Sequence, residues 1–74
     1  MKTVYRYIKF KKFSDDSQIC SCLNHSNIEL GYVEYYTKLR QFVFIPFSNT
    51  EYSFECLNDI ADFLKQLKPI IKTD

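Results

Sequence analysis

Cys20, Cys22, Cys56 and His25 are the side chains best suited to chemistry in this sequence, since thiolates and imidazoles serve proteins as nucleophiles and soft-metal ligands. Cys20 and Cys22 stand two apart on a run that reads as a strand, so both point the same way, and His25 with Cys56 would complete a tetrahedral set. Structural zinc sites draw their ligands in pairs from tight knuckles with about two to four residues between them. No such pair is present, and buried free thiols packing as small hydrophobes are the expected state. A Cys or Ser nucleophile would need His25 as its base, yet His25 lies in a polar turn with no glycine-rich elbow beside it. Asp59 and Asp62, three apart, would make a carboxylate pair, but they fall on the polar side of a helix, where solvation explains them. Phosphate-binding glycine loops and calcium loops are missing. The reading is of a protein that is not an enzyme, with no catalytic residue, no metal and no cofactor.

A second constellation suits binding rather than catalysis. Tyr5, Tyr7, Lys9 and Lys11 alternate aromatic and basic groups along one side of an extended segment, and Arg40 is expected nearby on the same sheet. Such a surface could stack bases and neutralise phosphates. Net charge argues against nucleic acid as the main partner: ten Lys and Arg face nine Asp and Glu, for a balance of +1. Tyr5, Tyr7, Lys9, Lys11, Tyr32, Tyr36 and Arg40 are therefore read as a partner-binding set, with a protein as the first choice of partner and nucleic acid as the second.

The elements that must position these residues are legible from periodicity. Residues 3–12 alternate in the strand period, with Val4, Arg6, Ile8 and Phe10 on one side and the Tyr and Lys series on the other. Ser14, Asp15, Asp16 and Ser17 form a turn, 18–23 a short strand, and Asn24, His25, Ser26 and Asn27 a second turn. Residues 30–36 and 40–46 are rich in β-branched and aromatic side chains. Gly31, the only glycine, sits where a bulge or a close backbone approach would use it. Residues 53–68 read as a helix, with Cys56, Leu57, Ile60, Ala61, Phe63, Leu64 and Leu67 on its apolar stripe. Ser53 is the expected N-cap, Tyr52 and Leu57 an expected hydrophobic staple, Glu55 a first-turn acid, and Lys65 and Lys68 suit the other end. Pro69 stops the helix, and 70–74 are read as a loosely held tail. The fold expected is one α+β domain over residues 1–74, an antiparallel β-meander of three to four strands packed on one C-terminal amphipathic helix.

Size and composition set the limits. Seventy-four residues make one domain that buries only about 60% of its unfolded surface, so the core is thin. Apolar content of 46% and aromatic content of 18% oppose disorder. Three cysteines cannot all pair within one chain, which points to a reducing compartment and hence the cytoplasm. The first dozen residues mix charge with apolar groups, unlike a signal peptide or a membrane span. A helix of about fifteen residues covers one face of a small sheet, yet residues 42–45 are bulky and apolar on both parities. The second face is expected to bind a partner, a second copy included.

From Leu30 onward the motifs Leu30-Gly31-Tyr32-Val33-Glu34-Tyr35-Tyr36, Leu39-Arg40-Gln41-Phe42-Val43-Phe44-Ile45-Pro46 and Cys56-Leu57-Asn58-Asp59-Ile60-Ala61-Asp62-Phe63-Leu64 resemble a family of very small uncharacterised proteins of phages and mobile elements. The resemblance spans about half of the chain and departs from the family pattern at Tyr35 and Leu39, which stand in place of tryptophans. It implies a phage or prophage accessory context and brings no assigned reaction. The expectation drawn from this context and the second sheet face together is a non-enzymatic accessory protein of the host cytoplasm that binds another protein, such as a host or defence factor.

Overall fold

The computed structural model describes residues 1–15 and 18–68. Asp16 and Ser17 of the first expected turn, Pro69 and the expected tail at 70–74 lie outside the described residues. Four strands, β1 (Ile8–Lys12), β2 (Cys20–Asn24), β3 (Glu29–Tyr36) and β4 (Gln41–Pro46), form one open antiparallel sheet in chain order. A single helix, α1 (Phe54–Gln66), follows and packs on one face, so the fold is α+β. The α1 residues form no apolar span, and no helix of the described residues is long and apolar enough to cross a membrane.

The extended segment expected over 3–12 is broken. Only Ile8–Lys12 is strand, and residues 3–5 fold back along it as a short arm: Val4 pairs with Lys9, the Tyr5 N–H donates to the Ile8 carbonyl at 2.8 Å, and the Phe10 N–H donates to Thr3 at 2.8 Å. Residues opposite each other across an antiparallel pair share a face. The two-residue turn at Arg6 and Tyr7 therefore inverts the parity, sending Tyr5 to the side of Ile8 and Phe10 while Val4 stays exposed. Tyr5, expected on the binding surface, is 6% exposed in the core.

One face of the sheet carries Ile8, Phe10, Cys20, Cys22 and Val33, which with Tyr5 and the helix residues Ile60 and Phe63 make up the buried core. Phe63 lies flat on Phe10, rings parallel with centroids 3.9 Å apart, and Tyr5 meets Phe10 edge-on at 5.9 Å. Aromatic pairs of this kind contribute about 0.5–1.5 kcal/mol beyond their area, which matters in so small a core. Leu30, Phe42, Phe44, Tyr52, Cys56, Leu64 and Leu67 are half-buried around it. Ser53 caps α1, its hydroxyl accepting from the Cys56 N–H at 3.2 Å. Leu57 of the expected staple is 52% exposed, and Tyr52 packs edge-on against Phe44 and donates its hydroxyl hydrogen to the Leu30 carbonyl at 2.8 Å.

Both expected uses of glycine meet at Gly31. The β2–β3 register slips between Cys22, opposite Gly31, and Leu23, opposite Glu29, so that Leu30 is the extra residue of a bulge. A Cβ on Gly31 would stand 2.5 Å from the Ile45 carbonyl oxygen and 2.8 Å from the Phe44 ring, and neither backbone nor packed ring can retreat cheaply. Gly31→Ala is expected to lower stability by about 1–3 kcal/mol through overpacking, read from the urea midpoint; an unchanged midpoint would show that the β3–β4 contact relaxes freely.

Candidate functional site

Three groups of chemistry-bearing residues are present, and only one lies open to a partner. The first is the thiols. Cys20 and Cys22 share the core face of β2 and are buried, while Cys56 comes from α1; all three are free. Burial pushes the Cys22 thiol up to about 12, with nearby Cys56 adding to the rise. Burial also raises Cys20, against the opposing charge of Lys12. A thiol held protonated and shielded is a poor nucleophile and a poor ligand. Among the described residues no three or more His, Cys, Asp and Glu side chains gather to hold a metal ion.

The second group ties the arm to the helix. The Tyr5 hydroxyl donates to Asp62 Oδ2 at 2.7 Å and accepts from Gln66 Nε2 at 3.1 Å. Gln66 also exchanges two bonds with the Lys2 backbone, and the Lys2 ammonium stands 4.7 Å above the Tyr5 ring. Burial, followed by the hydrogen bond and charge of Asp62, raises the Tyr5 hydroxyl well above its ordinary value. His25 Nε2 lies 2.8 Å from the Tyr5 carbonyl oxygen, which can only accept, so that nitrogen carries the hydrogen and donates. His25 and Asp62 thus hold the arm, and their bonds are structural. The Arg6–Glu55 pair at 3.9 Å is loose and largely exposed, and adds little.

The third group is the sheet face turned away from α1. Pairing places Lys11, Ser21, Tyr32 and Ile45 in one row across all four strands; Lys9 and Leu23 flank it on one side, Glu34 and Val43 on the other, with Tyr36 and Gln41 beyond. Leu23, Tyr32, Val43 and Ile45 are only half-buried, and exposed Phe13 and Phe47 stand beside them. A shallow depression of about 200 Å³ lies between Phe13, Ile19, Tyr32 and Phe47, the last two rings 6.0 Å apart.

The structure therefore brings together Lys9, Lys11, Tyr32 and Tyr36 of the expected binding set. It separates the other three. Tyr5 is in the core because of the inverted parity. Tyr7 is exposed at the arm's turn, under the Arg6 guanidinium at 5.1 Å. Arg40 occupies the β3–β4 turn in the left-handed region, φ 54°, and lines a cleft of about 420 Å³ on the helix side with Phe42, Ala61, Leu64 and Lys65. Sequence reasoning missed Phe13 and Phe47 of the open face, and its binding set left out Val43 and Ile45 although the double-parity apolar run at 42–45 had pointed to that face. Compared with protein-family models, curated proteins and solved structures, the chain matches none.

The raised thiols and phenols predict an alkaline weakness. The unfolded chain loses Cys protons near about 8.5 and Tyr protons near about 10, whereas the folded chain keeps those of Cys22 and Tyr5 to higher pH. The native state then binds more protons than the unfolded one, so stability is full below about pH 8.5 and falls as pH rises beyond it. Urea midpoints at pH 7, 9 and 10.5 (roughly these values) are expected to decline in that order, and Cys22→Ala to flatten the first part of the decline; midpoints that hold constant would contradict the assignment.

Proposed function

We propose that this chain is a non-enzymatic accessory protein of a phage or mobile element, acting in the host cytoplasm by binding another protein, a host or defence factor, through the sheet face opposite α1. The observation that carries the reading is the apolar and aromatic cluster of Tyr32, Ile45 and, in the adjoining row, Val43, flanked by Phe13 and Phe47, over which no element of the described residues is packed. Contiguous apolar surface on a domain of this size favours a partner over water. The phage setting rests on the motifs from Leu30 to Leu64, and the cytoplasm on three free thiols, which a reducing compartment preserves.

Nucleic acid is the second reading, favoured by Lys9 and Lys11 on the same face as Tyr32. Loss of Tyr5 to the core takes one aromatic from that surface, and the +1 net charge supplies little general attraction. Salt separates the two. Protein capture from a host lysate is expected to persist at moderate salt and to be lost in Ile45→Glu, whose circular dichroism and unfolding stay close to those of the parent. Retention on heparin or oligonucleotide that decays steeply with salt, with no protein captured, would transfer the face to nucleic acid.

A further inference from the structure

The two edges of the sheet, β1 and β4, are finished differently. The folded-back arm occupies the outer edge of β1, and that strand carries Lys9, Lys11 and Lys12, charges of the kind that protect free edges. β4 has neither protection. The Phe47 N–H donates to the Leu30 carbonyl at 2.9 Å, so the odd residues of β4 turn their backbone groups to β3, while Phe42 and Phe44 turn their N–H and C=O groups outward. Among the described residues those outward groups meet no partner. Gln41–Pro46 contains no charged side chain, and Pro46 comes only at its end.

The helix repeats this asymmetry. Glu55, Asp62 and Gln66 face Arg6, Tyr5 and Lys2 on the β1 side. Another stripe carries Phe54, Leu57, Ala61 and Lys65 at helical spacing, and at its carboxyl-terminal end Ala61 and Lys65 line the 420 Å³ cleft with Arg40 and Phe42 of the β4 side. Phe54 is 72% and Leu57 52% exposed, so the amino-terminal part of that stripe is an exposed apolar ridge.

We propose that a second copy of this chain adds to β4, strand against antiparallel strand, about a two-fold axis perpendicular to the sheet. With the axis at Val43, Phe42 stands opposite the second copy's Phe44, so the outward N–H and C=O groups of both are bonded in two symmetry-related pairs, and both helices stay on one face of a continuous sheet. The helices then run antiparallel, and Phe54 of each comes level with the Lys65 end of the other. There the ring enters the cleft beside Ala61 and Phe42, with Arg40 and Lys65 as cations for its face. A foreign strand would satisfy the edge alone, whereas projecting ring and receiving cleft are both present on this chain, which is why the occupant is a second copy. Because the arm already closes β1, assembly ends at the dimer.

The inference does not depend on the partner-binding face, and its test separates the two. Sedimentation of the full chain across a concentration series is expected to show a monomer–dimer equilibrium, with the Phe42 and Phe44 amides protected from exchange in the dimer and released on dilution. Phe54→Ser and Leu57→Lys are each expected to weaken the dimer by about tenfold or more, while Tyr32→Ala on the far face leaves it unchanged. A monomer at all concentrations, assemblies larger than two, a dimer in which the Phe42 and Phe44 amides exchange freely, or one dissolved by Tyr32→Ala and not by Phe54→Ser would each overturn the proposal.

Discussion

Phe63 lying flat on Phe10 is the contact on which the rest of the molecule is arranged, because a lone helix must be fixed to the sheet by few side chains and this pair is central among them. It draws α1 toward β1, which brings Asp62 and Gln66 within reach of Tyr5 and the arm. Lys2 and the arm are then held by five hydrogen bonds from two directions, four with Asp62 and Gln66 of the helix and one from His25 of the β2–β3 turn. A core of eight buried apolar side chains among the described residues is small, and linking arm, turn and helix through Tyr5 offsets part of that deficit.

The same arrangement leaves the molecule lopsided. The β1 side is closed by the arm and by hydrogen bonds to the helix, whereas among the described residues the outward backbone groups of Phe42 and Phe44 on β4 meet no partner. The face opposite α1 is open for a different reason: there is no second helix or sheet layer among the described residues to cover it. Edge and face present different chemistry, hydrogen-bonding backbone in one case and apolar side chains in the other.

Three turn positions adopt left-handed backbone, and their occupants are instructive. Asn27 and Asn49 suit that region, and Asn24 supports the first of these turns by accepting from the Ser26 and Ile28 N–H groups. Arg40 does not suit it, since a long side chain gains nothing there from local hydrogen bonding, and a cost of about 1 kcal/mol is usual. Its side chain instead lines the cleft on the helix side with Phe42, Ala61 and Lys65, away from the turn itself.

Elements with a strong local period were legible without coordinates. Helix α1, its Ser53 cap, the later strands and the close approach at Gly31 all follow from spacing, because the 3.6- and 2-residue repeats and the lack of a Cβ are properties of the chain itself. The surplus of apolar groups on both parities of β4 likewise announced an open face. What sequence could not decide was parity at the amino terminus: Arg6-Tyr7 is a turn marked by no glycine, proline or asparagine, and an alternating pattern reads the same whether the segment runs straight or folds back. Only the packed helix, offering Asp62 for the Tyr5 hydroxyl and Phe63 for the ring of Phe10, made the fold-back favourable, and that single reversal moved Tyr5 from the surface to the core. Tertiary structure also decided which edge stayed bare, since the closure of an edge depends on where a distant segment comes to lie and not on the composition of the strand.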